Sequence, residues 1–197
     1  MQILSNYIPE NSVELVEEIL INHPIQIIIV NNRLTKHGDF KRKRNGDFQI
    51  TLNNTLNRYQ FLLTLVHELA HWVTFKKHKR VKPHGKEWKQ NFQLLMLPFL
   101  QPTIFPSQLL PHLANYLKNP KASTGADVNL TRELNEYNEK SGKSFIFELE
   151  TGSFFSYNNK AFKKGVKRRT RFECVEMASK KVYLFNPNAE VEALKSN

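Results

Sequence analysis

Leu62–Trp72 reads LLTLVHELAHW, and it holds the pattern His67-Glu68-Leu69-Ala70-His71. On a helix, residues four apart stack one turn above each other on the same face. His67 and His71 can therefore turn two imidazoles toward one metal ion. Glu68, rotated by about 100° from His67, can reach a water on that ion. Two His ligands with a carboxylate base is the arrangement that zinc hydrolysis requires.

A five-residue pattern of this kind arises by chance in about 1% of chains this long. The flanking sequence adds to it. Phe61, Leu62, Leu63, Leu65, Val66, Leu69, Ala70, Trp72 and Val73 make the helix apolar on most sides. Two histidines and a glutamate on such a helix carry a desolvation cost unless something satisfies them. A metal satisfies all three together; hydrogen bonds from core neighbours are the plainer alternative.

Working outward toward the N-terminus, Asn11 or Ser12 can cap a helix that runs through Val13, Leu15, Val16, Ile19 and Leu20 and stops at His23-Pro24. Ile25–Val30 is a β-branched run that reads as a buried strand. His37-Gly38-Asp39 and Asn45-Gly46-Asp47 are turn signals. The second lies between Phe40–Arg44 and Asp47–Leu52, which predicts a hairpin. Its first strand carries Lys41, Arg42, Lys43 and Arg44, either a charged edge or a surface that meets phosphates.

The HELAH helix is expected over about Asn57–Lys77, its end favoured by the run of basic residues from Lys76 to Arg80. Val81-Lys82-Pro83 breaks the chain. His84-Gly85 then opens a second amphipathic helix with Trp88, Phe92, Leu95 and Met96 on one face. A catalytic zinc takes three protein ligands and leaves a position open. His78 shares the face of His67 and His71 but lies about 10 Å beyond His71 along the axis, too far for a bond of about 2 Å. Glu87 would give a His-His-Glu site. His84, just after the break, can fold back over the first helix and is preferred.

Strand, hairpin, HELAH helix, basic loop and HGKEWKQNF together resemble the SprT-like family of zincin domains, over roughly residues 11–96. The resemblance implies Zn²⁺ ligands at His67, His71 and His84 and a catalytic glutamate at Glu68. It also implies an α+β fold, a small antiparallel or mixed sheet packed on the HExxH helix and the helix after it. That family includes Spartan-type proteases that cut proteins trapped on DNA. The metzincin pattern does not fit, because Thr74 and Lys77 stand where it needs glycine and histidine.

Beyond Met96, four prolines at 98, 102, 106 and 111 predict short helical pieces, with Ser107–Leu117 the best of them. The expected organisation is a SprT-like domain over 1–118, a connector over 119–143 and a small basic all-β module over 144–197. Four strands are expected in that module: Ser144–Leu149, Ser153–Tyr157, Thr170–Val175 and Lys181–Phe185. Its core is expected to hold Phe145, Phe147, Phe154, Phe155, Tyr157, Phe172, Tyr183 and Phe185. Many SprT-like proteins carry a zinc ribbon here; this chain has one cysteine, Cys174, which cannot build one. That single cysteine also excludes an internal disulfide and fits a reducing cytosol.

The chain has 197 residues and a formal net charge of +11. Such a charge points to a polyanionic partner, with DNA favoured and no sign of sequence-specific readout. The densest basic run contains Lys163, Lys164, Lys167, Arg168, Arg169 and Arg171, with Phe162 as a stacking surface beside it. No signal peptide or membrane-spanning stretch is visible, so a cytoplasmic protein is expected, with nucleoid association as an option. The leading reading is a zinc-dependent peptidase acting on nucleic-acid-bound proteins. The rival is a non-catalytic, zinc-stabilised nucleic-acid adaptor. A peptidase whose charge serves an acidic protein partner stands third.

Overall fold

The computed structural model describes residues 3–33, 36–78, 80–138 and 142–194. The chain divides into two compact units, residues 1–138 and 139–197. Its helices and sheets make it an α+β protein.

In the first unit, α1 (Val13–Asn22) leads into β1 (Gln26–Val30), β2 (Gly38–Arg42) and β3 (Phe48–Asn53). β3 is the middle strand, parallel to β1 and antiparallel to β2, so the sheet is mixed and β2 forms an edge. The hairpin is as expected, with strand ends shifted. Lys43 N–H donates to the Asp47 carbonyl at 2.7 Å across the turn, and Gly46 takes φ 94°, which favours glycine. Gly38 and Asp39, expected in a turn, begin β2. The buried strand is β3 rather than β1: its last five residues are buried, whereas β1 is half-buried. A central strand is covered on both edges and faces, and an edge strand is not.

α2 (Arg58–Lys77) lies on this sheet, and α3 (Lys86–Met96) packs beside it. Every residue from Gln60 to Ala70 is buried. No polar face is needed, because β2, β3 and α3 all pack against the helix. Its N-terminus is capped by Asn57, whose Oδ1 accepts from the Tyr59 and Gln60 amides at 3.1 and 3.0 Å. Lys76 and Lys77 occupy its last turn; Lys79 lies outside the described residues.

The same Asn57 corrects the expected connector. Its Nδ2 donates to the Leu134 carbonyl (2.8 Å) and to Asn138 Oδ1 (2.6 Å). Following α4 (Leu109–Lys118), residues 128–135 form α5 (Val128–Asn135), whose Leu130 and Leu134 are buried in the core of the first unit. Two leucines one turn apart suffice to dock a short helix that is otherwise polar. Residues 139–141 and 195–197, at the ends of the expected connector and β module, lie outside the described residues.

The second unit is a six-stranded sheet, ordered β4 (Ser144–Phe145), β9 (Glu190–Leu194), β5 (Phe154–Tyr157), β6 (Lys160–Arg168), β7 (Arg171–Glu176), β8 (Val182–Phe185). Two strands, β6 and β9, were not expected. β6 was hidden because Lys164 occupies an inward position beside Phe162, breaking the apolar alternation. The core of the unit is Ile146, Phe155, Phe162, Cys174, Phe185 and Val191. Tyr157 and Tyr183, expected inside, are each 39% exposed.

Candidate metal centre

α2 presents His67 and His71 one turn apart. The third imidazole arrives through backbone geometry. His84 has φ 56°, a left-handed conformation that costs free energy for a residue with a side chain. Gly85 N–H donates to the Lys82 carbonyl at 2.9 Å. A Cβ at Gly85 would stand 2.8 Å from that carbonyl oxygen, so only glycine closes this turn. The turn folds His84 back over α2.

The three Nε2 atoms meet: His71–His84 at 2.9 Å, His67–His84 at 3.2 Å and His67–His71 at 3.3 Å. A tetrahedral ion with Zn–N bonds of about 2.0–2.1 Å sets neighbouring ligand atoms about 3.3–3.4 Å apart. The convergence of three nitrogens on one point therefore fits a tri-histidine zinc site. Glu87 and His78 are not part of this cluster.

The rings are held neutral. Burial first, then the charges of His71 and His84, push His67 down to about 3; burial and His84 push His71 down to about 4. Burial also lowers His84. Neutral imidazoles are the form that binds metal. Trp88 packs against all three, with ring centroids 4.6 Å from His67, 5.3 Å from His71 and 4.7 Å from His84. It is 1% exposed and fixes the ring orientations by contact.

Glu68 is buried on the β2 side of the helix, and the Phe40 amide of β2 donates to its carboxylate. Burial, then the nearby Asp39 charge, raise Glu68 to about 7; the Phe40 amide, Arg33 and Lys36 oppose this. Gly38 lets β2 come this close. Behind it, Arg33 donates to Asn53 Oδ1 and Thr51 Oγ1, both at 2.8 Å. The fully buried Asn53 donates through Nδ2 to Asn32 Oδ1 and to the Arg33 and Lys36 carbonyls at 3.0–3.1 Å. This network ties Asn32, Arg33 and Lys36, ahead of β2, to β3. A cleft of about 570 Å³ opens over the histidines and Glu68.

Gly38, Phe40, Trp88, Arg33 and Asn53 were not read as site residues from the sequence. Only Trp88 left a usable signal, four residues after His84.

Residues 10–103 match the model of the SprT-like family. This part of the chain belongs to that family. Over 56 residues the chain is 43% identical to Protein SprT of Yersinia pseudotuberculosis (serotype IB, strain PB1/+), a stretch covering 26% of this chain and 33% of the relative. The same figures hold for Protein SprT of Yersinia pestis. The chain thus spans about one third of the length of the curated SprT relatives it matches. No solved structure matches it. Among the described residues, no helix is long and apolar enough to cross a membrane.

The basic residues singled out in the sequence fall on both units. Lys41, Arg42 and Arg44 are exposed on and beside the edge strand β2; Lys43 Nζ donates to Gln26 Oε1 at 2.5 Å. In the second unit Lys163, Lys167, Arg168, Arg169 and Arg171 are exposed, with Arg168 paired to Glu173 at 3.0 Å. Lys164 is not available. It is 4% exposed, donates to the Leu149 carbonyl and lies 4.1 Å from the Phe172 ring centroid. Phe162 is 3% exposed and belongs to the core, so it offers no stacking surface. Both corrections follow from β6 being a strand with alternate residues turned inward.

Proposed function

We propose that this chain is a zinc-dependent metallopeptidase of the SprT-like, zincin type that acts on proteins bound to nucleic acid. The observation that carries the peptidase reading is the convergence of three histidine Nε2 atoms beside a buried glutamate at the floor of an open cleft.

His67, His71 and His84 would hold the ion. Zinc held there would supply Lewis acidity toward a water and toward the scissile carbonyl. Glu68 takes the proton of the attacking water and returns it to the leaving amine. The Phe40 amide holds that carboxylate at one oxygen while Gly38 gives it room. Trp88 keeps the three rings in place and screens their inner side from water. Among the described residues, β2 leaves one strand edge unpaired in its sheet, and an extended polypeptide can lie against such an edge.

The exposed cations of β2 and of the β6–β7 hairpin support a nucleic-acid partner, with backbone phosphates as the ligand. The adaptor reading, in which zinc only stabilises the fold, leaves the buried Glu68 unexplained, since a structural site needs no base.

Purified protein should contain one zinc per chain by elemental analysis. Glu68→Gln should retain that zinc and lose peptide cleavage by about 10²–10⁴-fold, the usual share of a general base. Absence of zinc, or cleavage that survives the substitution, overturns the proposal.

A further inference from the structure

The cleft over the histidines has two unlike walls. β2 contributes Gly38, Asp39 and Phe40. The segment between α2 and α3 contributes Arg80, Val81, Lys82 and Pro83. That segment runs directly into His84, so its side chains border the metal centre rather than a distant surface.

Charge is unequal across the cleft. Asp39 is bound by Lys36 at 2.9 Å, and Glu68 is buried. Arg80 and Lys82 are exposed, and neither has a carboxylate within ion-pair distance among the described residues. Among the described residues lining the cleft, Arg80 and Lys82 are thus cations without a carboxylate partner, and no surface carboxylate is left without a cation. Phe75, 46% exposed, lines the same cleft with Val81 and adds apolar surface beside the cations.

We infer that Arg80 and Lys82 are specificity-determining residues that select polypeptide segments carrying Asp or Glu within a few residues of the scissile bond. The inference rests on the peptidase reading above and narrows its substrate. Exposed charge pairs are individually weak. Two acting together inside a cleft, with like-charge repulsion against Lys and Arg, give discrimination of about tenfold. A nucleic-acid strand would also meet these cations. The cleft, however, must receive a polypeptide for Glu68 to act, so a substrate carboxylate is the anion its position favours.

The test uses the full chain and a pair of quenched fluorescent peptides of identical sequence apart from Glu or Lys beside the cleavage site. The readout is the ratio of kcat/KM for the two. Wild type should favour the Glu peptide by about tenfold, with added salt reducing the ratio, and the double variant R80E/K82E should invert it. Equal rates in wild type, or a ratio that the double variant leaves unchanged, overturn the inference.

Binding of the same peptides to E68Q is measured in parallel by fluorescence anisotropy. Retained preference for the Glu peptide without cleavage by wild type sinks the peptidase reading and leaves the selectivity standing. Binding without charge preference sinks the selectivity. Single-stranded oligonucleotide is added as a competitor. If it displaces the Glu and Lys peptides equally from E68Q, and no longer does so from E68Q carrying R80E/K82E, the cations serve nucleic acid and the inference fails.

Discussion

Gly38 and Glu68 touch across the β2–α2 interface: a Cβ at Gly38 would stand 2.9 Å from Glu68 Oε1 and 2.7 Å from Thr64 Cγ2. The Glu68 carboxylate is thereby confined between its own helix and an edge strand. Gly38→Ala must displace either β2 or the Glu68 side chain. Overpacking of this kind costs about 1–3 kcal/mol, and a misplaced base costs about 10²-fold in rate. G38A is expected to keep its zinc while losing kcat, which elemental analysis and peptide kinetics together will show. Wild-type kinetics in G38A would mean that the contact does not position Glu68.

Metal removal makes acid stability visible. In the metal-free protein, His67 and His71 have folded pKa values of about 3 and about 4, below the ordinary 6.5. The unfolded chain then binds more protons as pH falls, so the stability from neutral rings is present above 6.5 and lost on acidification toward those values. Glu68 acts oppositely. Its folded value of about 7 exceeds the ordinary 4.5, so its contribution is present below 4.5 and lost as pH rises through 7. Between 4.5 and 6.5 two histidines oppose one carboxyl, and the histidines prevail. The urea midpoint of chelator-treated protein should fall from pH 6.5 to 4.5, and adding zinc at 6.5 should raise it. A flat or rising midpoint on acidification would contradict the neutral tri-histidine cluster.

Asn57 serves as helix cap and as tie to α5 at once. Asn57→Ala removes a cap worth about 1 kcal/mol and takes its amide donor from Asn138 Oδ1 and from the Leu134 carbonyl, which keeps the Tyr137 amide at 3.3 Å, a further cost of about 1 kcal/mol. Asn57→Ser keeps a capping oxygen and loses the amide donor. Thermal denaturation should rank wild type above N57S and N57S above N57A. Equal loss in both variants would show that the tie, not the cap, carries the effect.

Lys164 and its neighbours separate stability from nucleic-acid binding. Lys164→Ala should destabilise the second unit and leave the salt slope of oligonucleotide binding unchanged. Reversing Lys167, Arg169 and Arg171 together should lower that slope by about one for each phosphate that is no longer neutralised. Titrations across a salt series test both. A slope that is near zero in wild type removes nucleic acid from the account of this protein.

The elements that were legible in the sequence are those written in short-range code. The apolar run of α2, the Pro and Gly punctuation before α3 and the Asn-Gly turn are all local preferences. Tertiary packing chose β3 over β1 as the buried strand and recruited α5 through two leucines. It also turned the basic stretch around Lys164 into a strand by giving its ammonium a carbonyl and an aromatic face.

The sequence alone determined that two imidazoles would share one helical face with a carboxylate one residue from the first, because a helix fixes i and i+4 without help from the rest of the chain. Only the tertiary structure decided the rest of the site. His84 reaches the cluster through a left-handed turn that depends on Gly85 and the Lys82 carbonyl. Glu68 owes its position to a strand some thirty residues away in sequence. Neither relationship has a period or a fixed spacing, since each depends on surfaces meeting after the chain has folded.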